Sequence, residues 1–216
     1  MVAAGGPQQF DDAAGRELYL AGSGSFAIEI AEWASDAGWR VAGLIELLDD
    51  TRVGEVVSGH RIVGARAPAA RTPALIAIGG LRRAHWARIA GLGWSASTIV
   101  HPRAHVSPSA TLVPGCIVGP AAVIGAESRL GAHTLVSRGA LIGHHVEVGD
   151  YAALMPGVNV GGHARIGEDT VVGMGAVIVN GGELGADVTV AAGAVVLGRV
   201  ADGSRVQGVP AREYVA

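Results

Sequence analysis

A six-residue repeat occupies the second half of the chain. From Val106 to Ala201, sixteen consecutive hexapeptides each open with an aliphatic residue, and the register never changes. A period of six matches neither the helical period of about 3.6 nor the strand period of about 2, so it predicts a chain that coils with regular corners. A disordered segment would not keep apolar residues in register over this length.

The repeat also predicts which residues lie one above another. Three hexapeptides make one triangular coil, so residues three hexapeptides apart stack in columns, roughly 4.8 Å from one coil to the next. The aliphatic residue and a small or β-branched residue four places later are expected to point inward, and the frequent glycines allow the backbone to bend at the corners. Cys116 occupies one of the small positions, where packing is its expected role, and a single cysteine excludes an internal disulfide.

The first part of the chain has a different character. All four tryptophans and both phenylalanines precede residue 95, and strand signals alternate with helix signals. We predict strands at 18–21, 40–45, 61–63 and 74–78, with helices at 25–37 and 81–92. That order predicts a small parallel sheet with covering helices. The predicted organisation is a loose tail at 1–14, a Rossmann-like α/β domain at 15–100, and an all-β parallel β-helix with a C-terminal tail at 101–216.

Charge and hydropathy exclude several classes of function. The net charge is −3, and the sixteen basic residues, all arginine, form no dense patch, so no nucleic-acid partner is expected. Every window long enough to span a bilayer contains turn formers or charges, so no membrane partner is expected either. The first twelve residues lack the basic and apolar regions of a signal peptide, which favours a cytoplasmic location.

A glycine turn follows the first predicted strand. The segment Gly22-Ser23-Gly24-Ser25 resembles a dinucleotide-binding fingerprint, and Glu46 follows the second strand. The domain spans only about one mononucleotide-binding half, so full dinucleotide binding is disfavoured. Two alternatives remain: a nucleotide diphosphate held against the helix N-terminus, or a turn used only for packing.

Two adjacent histidines stand at one predicted corner of the coil. Column arithmetic places Glu127, His145 and His163 in one stack, and places Gly162 one coil after His144. An imidazole can act as general base toward an attacking amine or hydroxyl, and a glycine N–H can stabilise the resulting oxyanion. The corner therefore suits acyl transfer, although solvated surface histidines or a purely structural stack would show the same pattern.

A metal site at this corner is the third alternative. The hexapeptide carbonic anhydrases bind zinc through histidines that include a pair five residues apart. The histidines of the coil and the segment that leads into it, at 101, 105, 133, 144, 145 and 163, contain no such pair. This spacing predicts no metal.

Several motifs in order resemble one enzyme family. The glycine turn, Val41–Glu46, Val100-His101-Pro102, the coil and the closing Gly208–Arg212 together resemble the sugar O- and N-acetyltransferases of the NeuD/PglD type. The resemblance covers almost the whole chain. It implies a left-handed β-helix, a homotrimer with active sites between subunits, acetyl-CoA as co-substrate, and a nucleotide-linked sugar on the small domain.

The resemblance also implies roles for individual residues. His144 matches the family's catalytic base, and Gly162 matches the glycine whose amide stabilises the oxyanion. The amides of Met174 and Ala192 match those that bind pantetheine. The residues implied on the nucleotide-sugar side are Gly22, Ser23, Gly24, Ser25, Glu46 and Gly79.

The chain departs from the family pattern near the base. His145 replaces an acidic residue, Ser137 replaces an asparagine, and Ala153 replaces a histidine, so the acceptor pocket is not the usual one. We hypothesise that Glu127, one coil earlier, orients one of the two histidines instead.

The function predicted from these observations is acetyl-CoA-dependent N-acetylation of a nucleotide-linked amino sugar, with a 4-amino-dideoxy sugar favoured. The alternatives are O-acetylation of a sugar as in the sialic-acid branch of the family, transfer from another acyl donor or to a non-sugar acceptor, and a catalytically silent binding or scaffold module.

Overall fold

The computed structural model describes residues 16–68, 72–78 and 81–214. The chain divides into two compact units between His101 and Pro102. The predicted N-terminal tail at 1–14 and the predicted site residue Gly79 lie outside the described residues.

The N-terminal unit contains a mostly parallel sheet and two helices. Its strands are β1 (Glu17–Ala21), β2 (Arg40–Glu46), β3 (Val56–Val57), β4 (His60–Gly64), β5 (Pro73–Ile76) and β6 (Ser95–Ala96), followed by β7 (Ile99–Val100). The sheet order is β3-β4-β2-β1-β5-β6, and only β3 pairs antiparallel. The helices are α1 (Ser25–Asp36) and α2 (Arg82–Ala90), and a 3₁₀ turn covers Asp50–Arg52. Strands β1, β2, β4 and β5 and both helices lie at the predicted segments, whereas strands β3, β6 and β7 and the 3₁₀ turn were not predicted.

Helix α1 packs through one apolar stripe. Ala27, Ile30 and Trp33 are buried at the spacing of one helical face. The helix stops where Gly38 takes a positive φ of 84° and donates its N–H to the Ser35 carbonyl, 2.9 Å away. Glycine accepts this left-handed conformation without a steric penalty, which explains the end of the helix.

The second unit is a parallel β-solenoid with three faces. The first face carries β8 (His105–Val106), β11 (Val123–Ile124), β14 (Leu141–Ile142), β17 (Asn159–Val160), β20 (Val177–Ile178) and β23 (Val195–Val196). The second carries β9 (Thr111–Leu112), β12 (Arg129–Leu130), β15 (Glu147–Val148), β18 (Arg165–Ile166), β21 (Glu183–Leu184) and β24 (Arg199–Val200). The third includes β10 (Ile117–Val118), β13 (Leu135–Val136), β16 (Ala153–Leu154), β19 (Val171–Val172), β22 (Thr189–Val190), β25 (Arg205–Gln207) and the antiparallel β26 (Arg212–Glu213).

The predicted interior of the coil is confirmed. Fifteen of the sixteen aliphatic positions are buried, from Leu112 to Val196, and Val106 is half-buried. The predicted column spacing also holds, since Ile124 pairs with Ile142 and the last regular pair is Ile178 with Val196.

The register then changes at the end of the coil. Glu183 pairs with Arg199, 16 residues on rather than 18, because the corner after Val196 is two residues shorter. The sequence repeat did not reveal this change. In the described part of the chain, no helix is long and apolar enough to cross a bilayer.

Candidate active site

The corner between the first and second faces carries the histidines. His144 and His145 follow β14, and His163 follows β17 one coil later. The backbone is held from coil to coil, because the His145 N–H donates to the Ala126 carbonyl at 2.8 Å and the His163 N–H to the His144 carbonyl at 2.9 Å. His145 and His163 have left-handed φ values of 57° and 59°, and this conformation makes the corner.

The three imidazoles form one contiguous cluster. The Nδ1 atoms of His144 and His145 are 3.1 Å apart. The His145 and His163 rings stack at 4.8 Å between centroids, while the His144 ring stands nearly perpendicular to both. All three side chains are exposed. The structure therefore places His163, which column arithmetic put under His145, against both histidines of the corner.

Gly162 forms the floor beneath His144. A Cβ added at Gly162 would lie 2.8 Å from His144 Nε2, and one added at Gly143 would lie 2.7 Å from the Gly162 nitrogen. Both distances are too short for a real side chain. The glycines are thus required for the imidazole to lie this close to the backbone of the next coil.

The Gly162 N–H already has an acceptor within the chain. It donates to Asn180 Oδ1 at 3.0 Å. Asn180 was not predicted, although it stands in the same column as His144 and Gly162. The same contact recurs twice at the corner between the second and third faces, where Asp150 accepts from the Ala132 N–H at 2.7 Å and, three coils later, Asp202 from the Ala186 N–H at 3.0 Å. The residue beside the histidines is thus a neutral amide, whereas the equivalent residues elsewhere are carboxylates.

Glu127 lies in the predicted column but is not bonded to the histidines. It is exposed, and its backbone N–H donates to Ser109 Oγ at 3.0 Å. Within residues 81–214, no hydrogen bond or ion pair joins the Glu127 carboxylate to His145 or His163. The Nδ1 partner of His144 is His145.

Met174 and Ala192 stack at another corner, between the third and first faces. The Gly193 N–H donates to the Met174 carbonyl at 2.8 Å, and both Met174 and Ala192 are exposed. The structure of one chain therefore places the predicted pantetheine amides and the histidines at different corners. Ser137 and Ala153, at two of the positions that depart from the family pattern, are buried.

The predicted glycine turn links β1 to α1. Gly22 has a φ of 129°, and a Cβ there would lie 2.6 Å from Ile78 Cγ2, so only glycine fits. A Cβ at Gly24 would meet nothing within 4 Å, so that residue faces open space. Gly24 is extended, and Ser25 begins α1, whose first turn contains no acidic residue. The first N–H groups of a helix have no intrahelical acceptor, and with the helix dipole they favour an anion.

Glu46 braces this turn from the end of β2. The Ser23 hydroxyl donates to Glu46 Oε2, and Arg52 Nη1 lies 2.8 Å from Ser23 Oγ and 3.4 Å from Glu46 Oε2. The other carboxylate oxygen accepts the N–H groups of Leu47 and Leu48, each at 2.9 Å. Burial by itself would raise the pKa of Glu46, but these hydrogen bonds outweigh it and lower that pKa below its ordinary value.

Comparisons of the sequence with family models and with curated proteins found no match. No family model matches it, and no curated protein does so at a significant level.

Solved structures do match. The acetyltransferase domain of PglB from Neisseria gonorrhoeae is 30% identical, with a TM-score of 0.84, and the match covers 92% of this chain and 100% of that domain. The same domain has been solved in complex with acetyl coenzyme A. A histidine-to-alanine variant of GDP-perosamine N-acetyltransferase from Caulobacter crescentus, in complex with CoA and GDP-perosamine, is 28% identical with a TM-score of 0.85, covering 93% of this chain and 97% of that one. WeeI from Acinetobacter baumannii shares the fold at 21% identity and a TM-score of 0.81, over 93% of this chain and 100% of that one.

Proposed function

The chain belongs to the sugar acetyltransferases of the left-handed β-helix type, and we propose that it transfers the acetyl group of acetyl-CoA to the amine of a nucleotide-linked amino sugar, most simply a 4-amino-dideoxy sugar. The His144 imidazole lying over Gly162 is the observation that carries this proposal. Two related structures support the substrate class, one with acetyl coenzyme A bound and one with both CoA and GDP-perosamine.

His144 acts as the general base through Nε2. Its Nδ1 is 3.1 Å from Nδ1 of His145, so one of the two atoms must carry the shared hydrogen. If the His144 Nδ1–H donates to His145, then His144 Nε2 is left with a free lone pair. His145 thereby supplies the acceptor that an acidic residue supplies in related sequences.

The reaction then proceeds by addition and elimination. The amine nitrogen attacks the thioester carbonyl carbon, and a C–N bond forms while the carbonyl oxygen becomes an oxyanion. His144 Nε2 takes the proton from the amine. The tetrahedral intermediate collapses with cleavage of the C–S bond, and the CoA thiolate leaves and accepts the proton. General-base help of this kind contributes about 10²–10⁴ in rate.

In this proposal the Gly162 N–H stabilises the oxyanion, and Asn180 sets how easily that N–H becomes available. The Asn180 side chain must release the Gly162 N–H, or share its hydrogen with the oxyanion, when the oxyanion forms. A neutral amide oxygen releases the N–H more easily than a carboxylate would, because charge-assisted hydrogen bonds are stronger. It also adds no negative charge beside the developing one.

The glycine turn holds the nucleotide diphosphate in this proposal. The open space at Gly24 and the N–H groups of Ser25 and Phe26, which precede the first bonded N–H of α1 at Ala27, support this role. Ser23 and Glu46 are bonded to each other and to Arg52, so they shape the turn and leave the backbone amides to meet the phosphates.

A second copy of the chain completes the acetyl-CoA site in this proposal. Support comes from the placement of Met174 and Ala192 at a corner other than that of His144 and Gly162. A homotrimer would bring the two kinds of corner together between neighbouring chains. Sedimentation equilibrium on the full chain tests this assembly, and a monomer at enzyme-assay concentrations would contradict it.

A thiol-release assay tests the proposed activity. Acetyl-CoA is combined with UDP-, dTDP- and GDP-linked 4-amino sugars, each with the wild-type chain, with His144→Ala, and with His105→Ala as the control. His105 is exposed on the first face of the solenoid, two coils before His144, and lies outside the cluster. We expect turnover with one acceptor, a loss of about 10²–10⁴ in kcat/KM for His144→Ala, and no change for His105→Ala. Turnover with no amino sugar while acetyl-CoA still binds would contradict N-acetylation of this acceptor class.

The orienting role is tested by comparing His145 with Glu127. His145→Ala should lower kcat about tenfold and alter its pH profile while leaving the acetyl-CoA KM unchanged, because the Nδ1 partner of the base is lost. Glu127→Gln should leave kcat/KM unchanged, since its carboxylate makes no bond to either histidine. A large loss in Glu127→Gln with little effect of His145→Ala would instead assign the orienting role to Glu127.

A further inference from the structure

We propose that the imidazoles of His144, His145 and His163 form a binding site for a divalent transition-metal ion, and that an ion bound there blocks the acetyl transfer. The binding site is inferred from the side chains alone, whereas the inhibition of acetyl transfer rests on the proposed function of His144. The spacing of the histidines in the sequence predicted no metal, whereas the cluster in the structure has the geometry of a ligand set.

The donor atoms are close to the separation that a metal requires. One ring nitrogen from each histidine can be chosen such that all three lie within 4.8 Å of one another. The Nδ1 atoms of His144 and His145 are 3.1 Å apart. A tetrahedral ion with metal–nitrogen bonds of about 2.0–2.1 Å needs nitrogens about 3.3 Å apart, so this pair already fits.

His163 is able to close the site. Its side chain is exposed, as are the other two, so a rotation of the ring displaces no buried group. The backbone positions of His145 and His163 are set by the coil-to-coil hydrogen bonds of this corner, and the two rings lie 4.8 Å apart between centroids. Two ligands on one coil and a third on the next are therefore within reach of one ion, and because all three side chains are exposed, water can complete its coordination.

The donor set selects the kind of ion. All three donors are imidazoles, which suit Zn²⁺, Co²⁺, Ni²⁺ and Cu²⁺, whereas Mg²⁺ and Ca²⁺ prefer carboxylate and carbonyl oxygens. The ion would take the place of the proton shared by the two Nδ1 atoms. His144 would then be held by the metal through Nδ1, and the hydrogen bond that leaves Nε2 basic would be gone.

Direct binding of Co²⁺ tests the site without reference to activity. The full chain, freed of metal by chelation and dialysis, is titrated with CoCl₂ while visible d–d absorption is followed, and ZnCl₂ is then used to displace the cobalt. His163→Ala should weaken Co²⁺ binding at least about tenfold, because even the loss of an outer-shell partner costs about 10–100-fold. The control His105→Ala should leave the affinity unchanged. Circular dichroism on each variant, with His163→Gln as a second substitution, keeps a folding defect from being taken for loss of a ligand.

The block is tested separately on the wild-type enzyme. ZnCl₂ should inhibit acetyl transfer, and EDTA should restore it. In His163→Ala the zinc concentration that halves that variant's own metal-free rate should be at least about tenfold higher than for the wild type.

Absence of a cobalt spectrum, or equal weakening of cobalt binding in His105→Ala and His163→Ala, would overturn the proposed metal site. Zinc binding at the cluster without loss of activity would contradict the proposed inhibition. If no amino sugar is acetylated, the cobalt titration still decides the site, so failure of the activity and failure of the site are distinguishable.

Discussion

The glycine turn and the histidine corner use polar groups in opposite ways. In the turn, Ser23 and Glu46 are buried and saturated with hydrogen bonds from the protein. At the corner, His144, His145 and His163 are exposed, and the contacts of their rings are chiefly with one another. The turn thus fixes its backbone with side-chain hydrogen bonds, whereas the corner exposes imidazole nitrogen atoms.

The difference follows from the two scaffolds. A strand–turn–helix junction ends in free N–H groups, so its side chains can be used to fix the backbone. In a β-solenoid, the backbone N–H and C=O groups are mostly hydrogen-bonded to the next coil. The groups left to contact a ligand are therefore side chains and the few amides at the corners. Variants at the histidine corner and variants in the glycine turn therefore test these two uses of polar groups separately.

Of the variants that compare the corner with the turn, Gly162→Ala at the corner should have the largest effect. The new Cβ would lie 2.8 Å from His144 Nε2, so the ring must move. A displacement of about 1 Å at a reacting group can cost about 10²-fold, and we expect a loss of that size in kcat/KM. Gly198→Ala is the matched control, because a Cβ there meets nothing within 4 Å. Equal activity of the two variants would show that the close approach of His144 to Gly162 has no role in turnover.

A smaller effect is expected from Asn180→Asp, which gives this corner the carboxylate found at the corner between the second and third faces. A carboxylate would hold the Gly162 N–H more strongly and repel the oxyanion, so kcat should fall about tenfold while the KM for acetyl-CoA changes little. The reverse exchange at a corner away from the histidines, Asp150→Asn, supplies the control and should leave kcat unchanged. Full activity in Asn180→Asp would mean that the Gly162 N–H is not the oxyanion donor.

The smallest effect on turnover is expected from Glu46→Gln in the turn, where the change should appear as stability. At about pH 7 the variant should lose about 2 kcal/mol of unfolding free energy, because hydrogen bonds to a charged group are replaced by bonds to a neutral one. The pKa of Glu46 is lowered in the folded chain, so its contribution is complete above the unfolded pKa and disappears as the pH falls through the folded value.

Chemical denaturation at neutral and acidic pH measures this contribution. The stabilities of the wild type and Glu46→Gln should converge in acid, whereas Glu32→Gln, an exposed change on α1, should match the wild type throughout. A difference between wild type and Glu46→Gln that is independent of pH would show that the ionised carboxylate is not what stabilises the turn.

Much of the architecture could be predicted because it depends on local repetition. The aliphatic register places Ile142 and Val160 inside the coil whatever surrounds them, since each is buried by its own coil and the next. Column arithmetic likewise placed His163 under His145. It failed after Val196, where a shorter corner changes the spacing to 16 residues, because the repeat reports inward positions and not the length of each turn.

The distribution of hydrogen bonds could not be predicted in the same way. Whether Glu127 or His145 bonds to His144 depends on the orientation of the rings, and His145 is the partner because its Nδ1 lies 3.1 Å from that of His144. The column arithmetic says which residues stack, but it does not give the orientation of their side chains. Asn180 shared the column of Gly162, yet nothing in the sequence said that its oxygen would cap that amide. The same holds for Arg52, which reaches Ser23 from a 3₁₀ turn that was not predicted.

The amino-acid sequence alone thus determined the coil, its interior, the glycine turn and the corner where histidines gather, because burial and turn formation act over a few neighbouring residues. The tertiary structure decided which nitrogen faces which, that the Gly162 N–H is capped, and that ring nitrogens of three imidazoles lie within 4.8 Å of one another. Those outcomes depend on differences of a few tenths of an ångström in the distances between side chains and amides at one corner, and they arise only once the backbone of every coil is in place.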